Sequence, residues 1–262
     1  MDWITENAKR SRKLKDKYSM RGTNIYIQDK VPDTINLEFV FDYIIARIPT
    51  ILLDSIDVIY VGDYPDFKTR DINAYYDNGA IFVTNNQDND KDMIDDIVHE
   101  IGHGVEERFN DFIYSDNTLE QEFISKRRTL FRMLKAEGLN PPKLLIAEPS
   151  FNQYIDDYLY EEVGYSLLNN LVNGLFVSAY AATSLSEYYA RGFEEYVFGN
   201  RKYLAKNAPA LYNVLEELFQ EEKWNMYHIQ KSKFGTSVLT SINFSISMAS
   251  LVLKVMNTHA SE

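Results

Sequence analysis

Met93-Ile94-Asp95-Asp96-Ile97-Val98-His99-Glu100-Ile101-Gly102-His103-Gly104-Val105 is the stretch around which this chain is organised. At ~100° per residue of helix, Ile94, Val98, Ile101 and Val105 fall on one stripe, with Ile97 beside it. His99 and His103 lie about 160° round from that stripe by the same count. A helix from about Met93 to Phe109 therefore packs one face into a core and turns two imidazoles into a cleft. The run is an HExxH motif, and two imidazoles four apart can hold one Zn²⁺ between them. Glu100 lies about 80° from the midpoint of the two histidines, where it reaches a water on the metal without ligating the metal itself. Gly102 lowers helix propensity, which points to something packed closely against the backbone there.

Composition narrows the chemistry. The 262 residues are enough for one large core or two small lobes. With no cysteine, disulfides and thiolate ligands are excluded, so a zinc site must use His and carboxylate. A net charge of −12 argues against a nucleic-acid binder, which normally presents a basic face. Residues 9–17 are the local exception, a basic run read as a solvated arm or as a dock for an acidic protein partner. No apolar segment follows Met1, so no classical signal peptide is expected, which leaves the compartment open. Residues 234–253 carry no formal charge, but nine are Ser, Thr, Asn or Gly, too polar for a membrane span. There Ile242, Phe244, Ile246 and Met248 alternate with polar residues, as in a strand or an adhesive edge.

Working outward from the motif, Asn24–Gln28 and Asp57–Val61 read as strands. Leu37–Leu53 reads as a helix that Pro49 must end or bend. Asn73–Tyr76 and Ala80–Thr84 flank Asp77-Asn78-Gly79, a hairpin signal. Downstream the pattern is almost wholly helical, over 118–137, about 151–181, 184–198 and 209–221, with a break at Pro141-Pro142. The fold class is α+β: a small mixed-sheet N-terminal lobe, the motif helix, and a mainly helical C-terminal lobe, with the site between. The expected organisation is a basic arm over 1–20, a two-lobed domain over 21–222 and a C-terminal segment over 223–262.

Catalytic zinc needs a third protein ligand and an open position. The candidates are His228, His259 and a carboxylate. The helical run Ser184–Phe193 is the most promising source, because Glu187 projects away from its apolar face of Tyr189, Phe193, Tyr196 and Val197.

HExxH followed by a helix carrying Glu187-Tyr188-Tyr189-Ala190 resembles the gluzincin metallopeptidases, in particular the anthrax lethal factor catalytic domain and the Pro-Pro endopeptidases. The resemblance covers about residues 70–218. It implies a zincin-like fold, Glu187 as third zinc ligand, and Tyr180, seven residues earlier, as the donor to the transition-state oxyanion. Lys206-Asn207-Ala208-Pro209 resembles the family's turn into its last helix, with Asn207 read as the cap and Pro209 in the first turn. Two features depart from the pattern. Where the family often has an acidic residue four after the ligand Glu, able to orient a zinc-bound His, this chain has Arg191. The acceptor for a histidine's second N–H is then a carbonyl, a water, Asp95 or Asp96, and Arg191 offers Glu187 an i,i+4 ion pair instead of a metal. A long helical insertion also separates His103 from Glu187, and it should reshape the cleft while leaving the metal chemistry alone.

The implied activity is zinc-dependent endopeptidase hydrolysis of a protein or peptide. Glu100 assists attack by a zinc-bound water, and His99, His103 and Glu187 hold the zinc. By the same resemblance and by β-augmentation, the substrate adds to a sheet edge, for which the hairpin strand over 79–84, with Gly79, Ala80, Ile81 and Phe82, is the candidate; an ordinary interior strand is the equal alternative. The competing reading is a structural or docking component on a metallopeptidase scaffold, held through residues 9–17 or 234–253. A metal-binding module without hydrolysis is a third reading, which leaves Glu100 without a role.

Overall fold

The computed structural model describes residues 17–70 and 72–220. Most of the basic run, the 234–253 segment, His228 and His259 lie outside these residues. The described chain opens with β1 (Lys17–Met20) and β2 (Thr23–Ile27), then α1 (Leu37–Ile45), α2 (Thr50–Leu53) and β3 (Val58–Gly62). There follow α3 (Pro65–Arg70), β4 (Ala74–Asp77), β5 (Ala80–Thr84) and the motif helix α4 (Asp90–Arg108). The five strands form one mixed sheet in the order β1-β2-β3-β5-β4. The outer pairs are antiparallel and the inner pairs, β2–β3 and β3–β5, are parallel. Parallel neighbours need a crossover, which α1 and α2 supply between β2 and β3.

Three sequence expectations change in this half. Residues 17–20, assigned to the basic arm, form a strand of the sheet. The helix expected over 37–53 stops at Ile45 and resumes as a single turn after Pro49, since proline has no N–H to continue the ladder. The hairpin forms as expected, with Asn78 and Gly79 both at positive φ (46° and 83°), the signature of a two-residue type I′ turn. Its second strand, however, is interior: β5 pairs with β3 on one side and β4 on the other. Ile81 and Phe82 are buried in the core. The edges of the sheet are β1 and β4, so Gly79, Ala80, Ile81 and Phe82 do not lie on an edge strand.

The C-terminal half is helical, as read. It runs through α5 (Asn110–Ile113), α6 (Thr118–Ala136), α7 (Gln153–Asp157), a π-helical turn (Tyr158–Val163) and α8 (Tyr165–Val172). After a 3₁₀ turn (Tyr180–Ala182) come α9 (Leu185–Phe198), α10 (Arg201–Asn207) and α11 (Pro209–Leu218). The single helix expected over 151–181 is instead broken, at Gly164 (φ 75°) and again at Asn173-Gly174 (Gly174 φ 74°). Nor does Asn207 cap the last helix. Its side chain donates back to Tyr203 O, and the cap position belongs to Ala208 with Pro209 in the first turn. The cap comes from another helix: Glu122 on α6 accepts the N–H groups of Ala210 (2.8 Å) and Leu211 (3.2 Å). Among the described residues no helix is long and apolar enough to cross a membrane.

Candidate metal centre

Two helices build the site, and each starts from a side-chain cap. Asn89 accepts from the N–H groups of Lys91 and Asp92 to open α4, with Asp90 and Asp92 favourably placed in its first turn. Ser184 opens α9 by accepting from the N–H of Glu187 itself (3.1 Å), which pins the backbone of that residue at the third helical position. The helices cross at Gly102, where an added Cβ would lie 3.3 Å from Ala190 Cα and 3.4 Å from Phe193 Cβ. The close packing expected at Gly102 is thus the approach of the ligand-bearing helix.

At this crossing His99 Nε2 lies 3.1 Å from Glu187 Oε2, and His103 Nε2 lies 3.6 Å from Glu187 Oε1. One donor atom from each of the three residues falls within 4.8 Å of the others. Tetrahedral zinc with bonds of about 2.0–2.2 Å sets its ligand atoms roughly 3.3–3.5 Å apart, so the observed spacings bracket what a metal requires. Glu187 Oε2 is buried and has no hydrogen-bond partner; its approach to His99 is too bent for one, as expected of two atoms aimed at a third. These residues can therefore hold a metal ion.

Both Nε2 atoms face Glu187, so both Nδ1 atoms face outward to supporting groups. His103 Nδ1 lies 3.1 Å from Ser186 Oγ, whose hydroxyl donates to Glu106 Oε2 (2.5 Å). Tyr114 donates to the other Glu106 oxygen (2.5 Å). His99 Nδ1 is 3.7 Å from Glu194 Oε2, which pairs with Arg191 Nη1 at 2.7 Å. The expected acceptors are otherwise engaged: Asp95 pairs with Lys91, and Asp96 accepts from Gln87. Arg191 therefore pairs with Glu194 and not with Glu187. Glu194, seven residues after Glu187 and two turns along the same face of α9, is the carboxylate beside His99 Nδ1, which is buried without a hydrogen-bond partner. Glu194, Ser186 and Glu106 went unnoticed in the sequence. The i+7 spacing from Glu187 and the i+3 spacing from His103 were the available signals.

Electrostatics follow the same contacts. Burial would push the His103 imidazole down, but Glu106 and Glu187 outweigh it and raise it to about 10. Burial would raise Glu187, yet His103 and His99 hold it at about 2. His99 is also raised, by Glu187 and Glu194 against the opposing effect of burial. Glu100 is buried and its carboxyl is pushed up by desolvation, with the histidines pulling the other way. The nearby backbone N–H of Tyr76 on β4 also acts to lower it. Tyr180 stands beside His99, with ring centroids 6.5 Å apart. Burial and the nearby Glu187 raise its phenol, which therefore stays a proton donor.

A cleft of about 1160 Å³ surrounds these groups, lined by residues of β4 and of 151–169 among others. Thr84 N bonds Asn73 O (2.8 Å), and antiparallel ladders alternate. Ala74 and Tyr76 consequently turn their backbone groups away from β5, towards the cleft. The insertion does more than reshape this space. Arg127 on α6 is fully buried and donates to Ala182 O (2.9 Å), Glu148 O (2.5 Å) and Thr183 O. It thereby holds the turn between Tyr180 and Glu187. Burial lowers its guanidinium to about 10.

Comparison of the chain with protein-family models, curated proteins and solved structures gives no match.

Proposed function

We propose that this protein is a zinc-dependent endopeptidase of zincin-like architecture, close in its site to the gluzincins. The observation that carries the reading is the convergence of His99, His103 and Glu187 beside a buried Glu100. Zinc held by these three residues would polarise a scissile carbonyl and lower the pKa of a water. Glu100 takes the proton of the attacking water and passes it to the leaving amine, a task its raised carboxyl suits. Tyr180 donates a hydrogen bond to the developing oxyanion. The substrate chain lies along β4, where Ala74 and Tyr76 offer backbone groups for strand addition.

Metal analysis of the purified protein, together with cleavage of a peptide library, tests this. One zinc per chain is expected, with Glu100→Gln keeping the metal and losing cleavage. Failure to bind zinc after loading at neutral pH would overturn the proposal.

A further inference from the structure

One part of the cleft lining has a chemistry of its own. Phe151, Asp156, Tyr160 and Tyr165 form it. The three aromatic side chains are 56%, 61% and 44% exposed, in chain order. Tyr160 and Tyr165 meet edge to face at 5.6 Å. Tyr160 lies within the π-helical turn, which ends at Gly164 (φ 75°), just before Tyr165. Such turns are rare and recur at functional sites.

The carboxylates of the cleft are nearly all engaged. Asp96 accepts from Gln87, Glu107 from the Tyr76 hydroxyl (2.6 Å), and Glu106 from Ser186 and Tyr114. Glu100 and Glu187 belong to the metal centre. Asp156 is different: among the described residues no hydrogen bond or ion pair engages its side chain. It is close enough to Glu187 for that carboxylate to raise it further, beyond the effects of burial and of Asp157. The two arginines of the lining are both occupied, Arg191 by Glu194 and Arg70 over the Tyr75 ring (5.0 Å). The protein thus presents an unpaired carboxylate beside exposed tyrosine rings, in the cleft that β4 also lines.

We infer that Asp156, Tyr160 and Tyr165 form a subsite for a basic side chain of the peptide, arginine above lysine. A guanidinium can stack on a tyrosine face while its N–H groups bond the carboxylate, which an ammonium does less well. This rests on the peptidase reading and names its substrate class.

The test uses the zinc-loaded protein and a positional-scanning peptide library, read by cleavage with wild type and by binding with Glu100→Gln. A basic residue should be enriched at one position. Replacing that arginine by uncharged citrulline should weaken binding about tenfold or more, as for loss of a charged hydrogen bond. Adding Asp156→Asn should shrink the arginine-to-citrulline ratio to within about twofold, with zinc content retained as the check on folding. Cleavage without basic preference, or a ratio that survives Asp156→Asn, overturns the subsite while the peptidase reading stands. Basic-selective binding without cleavage by wild type overturns the peptidase reading and leaves the subsite. Binding of no library peptide overturns the subsite.

Discussion

Glu194 Oε2 lies 3.7 Å from His99 Nδ1 while accepting from Arg191 Nη1 at 2.7 Å. The arginine that seemed out of place in the motif therefore orients the carboxylate that faces a metal ligand. At that distance no hydrogen bond joins them, and His99 Nδ1 is buried without a partner; the carboxylate acts on the imidazole through its charge, which helps to raise it.

Removing that support should weaken the metal site without removing a ligand. Glu194→Gln is expected to lower zinc affinity about 10- to 100-fold, measured by competition with a chelator of known affinity. Arg191→Met should have a smaller effect in the same direction. Unchanged affinity in Glu194→Gln would mean that His99 is oriented by something else.

Proton competition gives a second prediction. His103 is raised from 6.5 to about 10, so without metal its stabilising contribution is complete below about 6.5 and is lost as pH rises towards 10. Glu187 is lowered from 4.5 to about 2, so its contribution holds above about 4.5 and is lost as pH falls towards 2. The metal-free protein should therefore be most stable between about 4.5 and 6.5, as judged from these two groups. Zinc needs neutral imidazoles, so its affinity should rise with pH and its binding at neutral pH should release protons. Calorimetry in buffers of different ionisation enthalpy measures that release, and a value near zero would contradict it.

Gly102 sits where α4 and α9 touch, with the Ala190 backbone unable to move aside cheaply. Gly102→Val should cost about 2–3 kcal/mol through overpacking, seen as a shift of the denaturation midpoint, and should reduce zinc content by separating the two helices. A variant of wild-type stability would show that the crossing is loose.

Arg127→Leu should be more damaging than its distance from the metal suggests. It leaves the carbonyls of Ala182, Thr183 and Glu148 without their donor. Unpaired buried carbonyls cost roughly 1–3 kcal/mol each. The expected result is a loss of about 3–5 kcal/mol, read by urea unfolding. Stability within about 1 kcal/mol of wild type would exclude the role assigned to Arg127.

Periodicity and spacing were sufficient for the motif helix, its two faces, the Asn78-Gly79 hairpin and the helical C-terminal half. Each of these depends on interactions within a few residues, which a local pattern encodes. Glu187 could be placed on the polar face of its helix, and that helix does bring it to His99 and His103. Which strand of the hairpin forms the edge was not legible, because β5 becomes interior only when β3, distant in the chain, pairs with it. The same holds for Glu194, Ser186 and Arg127. The contacts of Glu194 with His99, Ser186 with His103 and Arg127 with Ala182 span 55 to 95 residues of the chain, and only the packing of α4, α6 and α9 decides which carboxylate faces which imidazole. The amino-acid sequence alone determined the ligand types and the helix that carries two of them, since a 3.6-residue repeat sets which side chains share a face. Tertiary structure decided the third ligand's approach, the support behind each histidine and the open edge, since those are contacts between elements.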